Sequence, residues 1–147
     1  MKNLESWLLI VQLASTLPLV GLIWTIQLVH YPLFARVGDD GFLDYQQDHM
    51  RSIGPLVGPL MLLEALAALG LLLVAPASIT AILGFLLVLV IWGSTALIQV
   101  PCHRQLTAGF DSTAHLRLVR SNWVRTITWS MRGVLAILMC PGWFSTG

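Results

Sequence analysis

Charge is what this chain has least of. Only 10% of its 147 residues are Asp, Glu, Lys or Arg, where a soluble domain carries about 25%. Eight basic residues stand against seven acidic ones, a net charge of +1. A net charge so close to zero argues against nucleic acid as a partner, since the basic stripe that would grip its phosphates is expected to be missing. Cysteine is equally scarce. Cys102 and Cys140 are the two present, without a CxxC or zinc-type spacing, and the topology derived below puts them at opposite ends, where they cannot pair. The apolar runs lack strand-like alternation. No A-x-A cleavage site follows the first of them; with Lys2 ahead of it, the run from Trp7 to Val29 is still too long for a signal h-region and is expected to remain as a helix.

What fills the chain is hydrocarbon: 56% hydrophobic residues and a mean hydropathy of +0.80. Four apolar segments stand out, at about 6–29, 54–74, 78–100 and 122–139. Each reaches across a bilayer core of about 30 Å at about 1.5 Å per residue. In lipid the backbone must satisfy itself, so these are helices. The sequence therefore predicts one integral membrane domain over 1–147, an all-α bundle of four transmembrane helices. A tight turn at Pro76-Ala77-Ser78 makes spans two and three an antiparallel hairpin. Asp39-Asp40-Gly41 offers a cap, and Phe42, Tyr45 and His49 recur at helical spacing. They predict a short amphipathic helix, about 41–51, lying at the interface between helices one and two. Asp111 or Ser112 caps a further helix that leads into the fourth span. No internal repeat stands out.

Arginine sets the orientation. Arg36, Arg51, Arg104, Arg117, Arg120 and Arg125 fall in or beside the two long loops, against Lys2 at the other face. By the positive-inside rule the loops are cytoplasmic and both termini outside, as in a bacterial inner-membrane protein, with Trp7 and Trp143 in the outer aromatic belt.

The polar residues converge on the cytoplasmic side. His30, His49 and His103 come from three different elements, and three imidazoles with a carboxylate suit iron, copper or zinc. Haem held by two histidines is a poorer fit, since these sit near span ends. His115 lies in a loop and is expected to stand apart. Glu64, mid-span in helix two, is costly in lipid and marks the bundle interior. Arg132 lies at the same depth, about 15 Å in at about 1.5 Å per residue, so the two are expected to pair. Asn122, Arg125, Trp129 and Arg132 form one stripe on helix four. Gln27, Trp24, Tyr45, Arg51, Trp92, Gln99, Asn122 and Trp129 complete the expected pocket lining. The plainer alternatives are a structural ion pair, snorkelling arginines and bundle-packing tryptophans.

Residues 99–126 read QVPCHRQL and then RSNWVRTITW. This resembles the anthrone-oxygenase-like family of small four-helix membrane proteins, where a Pro-containing polar segment closes helix three and a Trp/Asn–Arg–Thr segment opens helix four. The likeness covers about a fifth of the chain, with Gln99 and His103 where the family usually has asparagines. It implies oxygenase-type chemistry on a lipophilic small molecule, carried by Gln99, His103, Asn122 and Arg125. The expected function is thus a membrane oxidoreductase with a cytoplasm-facing pocket. In it His103, Glu64, Arg125 and Arg132 would be catalytic, and His30, His49, His103 and Glu64 would be ligands if iron or copper binds. The alternatives are a proton-linked transport or binding module gated by Glu64 and Arg132, and a structural subunit. In the latter Gly54, Gly58, Ala65, Ala68 and Gly70 would pack against a partner or a second copy.

The orientation is checked in a chain whose two native cysteines are replaced by serine. A cysteine at Asp40 is expected to resist a membrane-impermeant maleimide in intact cells, and one at Ser145 to label. Reversed labelling would overturn the orientation and leave the spans untouched.

Overall fold

The computed structural model describes residues 2–140; Trp143 and Ser145 lie outside them, as do the side chains of Lys2 and Asp39. No strand occurs among the described residues. The chain folds as four helical rods. The first, α1, runs over 2–34: Lys2–Thr25, a π-turn at Ile26–His30, then Tyr31–Phe34. The second, α2, is Asp39–Val74. The third, α3, covers 79–106 as Ile79–Ser94, a π-turn at Thr95–Gln99, and Val100–Leu106. The fourth, α4, is Ser112–Leu138. Each rod packs against the one before and after it, and α4 closes on α1. Short loops join them, so neighbours are antiparallel.

Both π-turns have the same cause. Pro32 and Pro101 each stand two residues beyond one. A proline ring clashes with the carbonyl four residues back, and the helix widens to make room. The wide turns are seen in the bonds from the Tyr31 N–H to the Ile26 carbonyl and from the Val100 N–H to the Thr95 carbonyl. The chain thus follows one plan twice: rod, π-turn, proline, short loop, rod. Only the two prolines and their surroundings betray this in the sequence, which shows no residue-for-residue repeat.

Two expectations about elements change. The interfacial helix at 41–51 is not separate. It forms the first turns of α2, which runs for 36 residues without a break. Its capping residue is Gly38 rather than an aspartate. Phe42 and Gln46 are fully buried, so this stretch stands against the bundle instead of lying flat beside it. Pro55 and Pro59 sit inside α2 without ending it; each removes a single N–H, and no non-helical alternative satisfies the rest of the backbone. The expected turn at Pro76 holds, with the Ser78 hydroxyl accepting from the Ala81 N–H at 3.4 Å. So does the cap on α4, where Asp111 Oδ1 accepts from the N–H groups of Thr113 and Ala114 at 2.7 and 3.1 Å. Gly109, with φ of 137°, makes the loop before it, in a conformation other residues adopt only under strain.

Three of the rods are long and apolar enough to cross a membrane, the windows being Asn3–Phe34, Asp40–Val74 and Ile79–Leu106. The fourth is more polar, because its buried face carries Asn122, Arg125, Thr126, Thr128 and Arg132. Its outer face is apolar all the same: Trp123, Val124, Ile127, Met131, Val134 and Leu138 are exposed. The whole bundle is built in this sense, with leucines outside and Gln12, Thr16, Gln27, Gln46, Glu64 and Asn122 buried. A water-soluble domain places these groups the other way round. The small residues of α2 are divided. Gly70 lies so close to α1 that an added Cβ would meet Leu8 at 2.8 Å, and Ala68 is buried, whereas Gly54 and Gly58 face open space.

Candidate functional site

Two polar centres occupy the bundle axis. The inner one joins all four rods. Glu64 of α2 and Arg132 of α4 pair at 2.7 Å, Nε to Oε1, and both are completely buried. The carboxylate also accepts from Thr16 Oγ1 of α1 at 2.9 Å and from Trp129 Nε1 at 3.1 Å. The guanidinium donates through Nη2 to Gln12 Oε1 of α1 at 3.4 Å and through Nη1 to the Gly84 carbonyl of α3. A Cβ built on Gly84 would stand 3.6 Å from Arg132 Nη1, an ordinary contact. Each charge has its hydrogen bonds made, which is what a buried pair needs to persist. Above the pair, Arg125 lies over the Trp129 ring at 5.0 Å and donates to Asn122 Oδ1 at 3.3 Å. Gln27 Oε1 accepts from Asn122 Nδ2 at 2.9 Å and from Thr126 at 3.4 Å.

The second centre lies at the arginine-rich end. His30 Nε2 and His49 Nδ1 share a hydrogen bond of 2.8 Å, and His49 stacks beside His103 with ring centroids 5.3 Å apart. His103 Nε2 meets the Tyr31 hydroxyl at 2.9 Å, and Gln46 Nε2 donates to His103 Nδ1 at 3.1 Å. Phe34 is the hub of this cluster. Its ring lies 5.2 Å from those of His30 and His49, and 6.4 and 6.3 Å from those of His103 and His115. His30 and His49 also line a groove of about 350 Å³ with Tyr45, Asp48, Ser52, Ile53 and Leu56. Among the described residues, three buried side-chain atoms have no hydrogen-bond partner: Gln46 Oε1, His49 Nε2 and Arg125 Nε. A buried group left this way costs about 1–3 kcal/mol.

Several expected site residues are placed elsewhere. Glu64 does not join the histidines; at fifteen residues beyond His49 on one helix it lies about 22 Å further along. Arg132 goes with it, so neither belongs to the histidine site. The four-ligand set His30, His49, His103 and Glu64 is therefore not formed, and no group of three or more His, Cys, Asp or Glu among the described residues has metal-holding geometry. The donor set explains this: His30 and His49 bond to each other, and both His103 nitrogens are engaged. That contact also excludes axial ligation on opposite faces of a haem by His30 and His49. Trp24 and Trp92 face outward, about two-fifths exposed; Trp24 bonds to Ser130 at 3.0 Å. Arg51 is exposed and meets Asp48 at 3.8 Å. Gln99 turns to Ser94 and Ser121, away from His103. Tyr45 does line the groove. His115 is no loop residue: it is buried in the first turn of α4, its Nε2 meeting the Tyr31 carbonyl at 2.8 Å.

Unforeseen were Phe34, Gln46, Gln12 and Thr16. Gln46 lies three residues before His49, and Gln12 and Thr16 are four apart, so helical spacing was the available signal. Searches of protein-family models, of curated proteins and of solved structures each find nothing that matches this chain.

The inner pair is tested by a double-mutant cycle. Glu64→Gln or Arg132→Gln alone is expected to cost about 3–5 kcal/mol, the usual penalty for a half-broken buried pair. The double variant recovers much of that in detergent melts. Strictly additive losses would overturn the coupling.

Proposed function

We propose that this protein is a four-span membrane enzyme that removes a proton from a lipophilic small molecule in the histidine groove. The apolar outer face of α4 supports its insertion as the fourth span, since beyond Ser121 the polar groups Asn122, Arg125, Thr126, Thr128 and Arg132 are buried. The arginine asymmetry supports placing the groove on the cytoplasmic face. The observation that carries the function is the His30–His49 pair, an imidazole dyad that forms part of the wall of a groove also lined by Tyr45, Asp48, Ser52, Ile53 and Leu56. Neutral imidazole is a good base at neutral pH, and a second imidazole bonded to it holds its tautomer and orientation. Ile53 and Leu56 would bind an apolar body, and Asp48 and Ser52 its polar end.

Behind the dyad, Gln46, Tyr31 and His103 fix one another. Arg125 adds a positive charge and an unpaired N–H at the same end, suited to a developing negative charge. The resemblance at residues 99–126 supports an oxygenase outcome. Proton loss from an acidic C–H leaves an electron pair on carbon. That pair adds to dioxygen, and the resulting hydroperoxide sheds water to leave a carbonyl. One dioxygen is consumed and one water released.

Anthrone is the probe for this reading. Purified protein is expected to accelerate conversion to anthraquinone with one dioxygen consumed per product. His30→Ala and His49→Ala should each lose on the order of 10²–10⁴-fold, the usual contribution of a general base. His115→Ala should melt lower while keeping its rate per folded molecule, and Arg51→Gln should be unchanged. Equal rates in the wild type and both dyad variants would overturn the assignment.

A further inference from the structure

The second half of the chain carries a counterpart of the histidine groove. Thr113, Leu116, Arg117, Arg120 and Ser121 line a groove of about 590 Å³ at the start of α4, much as Tyr45, Asp48, His49 and Ser52 line theirs near the start of α2. The plan is shared and the charge is reversed. Asp48 is the charged group of the first groove; Arg117 and Arg120 are those of the second, which has no carboxylate. Neither arginine forms an ion pair among the described residues.

The exposed surface of α4 continues from this groove in a single stripe: Thr113, Arg117, Arg120, Val124, Ile127, Met131, at alternating steps of four and three residues. All six are exposed. The first three are polar or cationic and the last three apolar, so the stripe changes character in one turn. On α3, which meets this stretch through Gln99 and Ser121, Leu97 and Val100 are exposed as well. A single snorkelling arginine needs no ligand. Two on one stripe, with two hydroxyls beside them and an apolar track leading away, match an amphiphile with an anionic head.

We propose that this groove binds the phosphodiester headgroup of an anionic phospholipid, whose acyl chains run along Val124 and Ile127. The inference rests on the four-span reading of the bundle and is independent of the chemistry at the histidines. Arginine pairs bidentately with phosphate oxygens. A zwitterionic lipid finds no carboxylate for its ammonium group.

The test uses the full chain in mild detergent, titrated with phosphatidylglycerol, with phosphatidylcholine, and with soluble glycerol phosphate. Phosphatidylglycerol is expected to raise the melting temperature, and the other two to leave it unchanged. Arg117→Gln with Arg120→Gln should weaken phosphatidylglycerol binding roughly 30-fold, a factor of about five for each surface arginine. The double lysine variant should keep most of the affinity, which guards against a folding artefact, and Arg104→Gln should bind as the wild type does. Equal stabilisation by phosphatidylcholine would overturn the proposal. So would equal stabilisation by glycerol phosphate, or a glutamine double variant that responds like the wild type. Loss of anthrone turnover with lipid binding intact would sink the enzyme reading alone.

Discussion

The Glu64–Arg132 pair is a contact at which all four rods meet. In lipid there is no hydrophobic force to hold one helix against another, because a leucine is as well solvated by acyl chains as by its neighbour. Packing and buried polar bonds must do it. This pair does so at one point for all four rods, through Thr16 and Gln12 of α1, Glu64 of α2, the Gly84 carbonyl of α3, and Trp129 and Arg132 of α4. Removing two charges from water is costly, and their mutual attraction offsets this only when every remaining lone pair and proton finds a partner. That requirement fixes the rotation of each helix about its axis. It is a constraint of register as much as of stability.

The same pair reaches the histidine end indirectly. Trp129 is held by Glu64 on one side and carries Arg125 on its ring on the other. Arg125 then bonds Asn122, which bonds Gln27 in the π-turn of α1. Gln27 and His30 share that turn, whose widened geometry follows from Pro32. A proline thus sets the direction from which His30 approaches His49. Wide turns of this kind are frequent at functional sites, and the orphaned polar atoms at this end are consistent with a site rather than a solid core. By contrast, every nitrogen and oxygen of the two inner charged groups has at least one partner.

Composition and hydrophobic length made the four segments legible, because lipid permits few backbone solutions. Equal depth made Glu64 and Arg132 legible as a pair. The meeting of His30, His49 and His103 could be read from their common end. What could not be read was azimuth. Trp24 and Trp92 lie at suitable depths and face outward, and a one-residue widening at each π-turn shifts every later side chain by about 100°, the angle of one helical step. Gln99 and His103, four apart in sequence, take different partners all the same. His115 was misplaced although the cap at Asp111 was legible: the helix that this cap opens carries His115 in its first turn and buries it. Phe34 was overlooked because an apolar residue among apolar residues gives no signal until its neighbours are known.

The doubled plan explains how so short a chain holds distinct surfaces. Two rods with a proline-induced π-turn, each followed by a capped helix, create two similar grooves at one end of the bundle. They differ in volume, about 350 against 590 Å³, and in the charge of their side chains. In the first half, histidines and an aspartate take the groove, and the apolar residues Ile53 and Leu56 lie inside it. In the second, arginines take the groove and the apolar residues continue outside along α4. A ligand with an apolar body and weakly acidic protons suits the first; an anionic head with hydrocarbon trailing away suits the second. Sign of charge therefore divides the two grooves, with Asp48 in the first and Arg117 and Arg120 in the second. That division requires the inner ion pair to stay fully satisfied, since an unpaired arginine at the bundle centre would compete for any anion that entered.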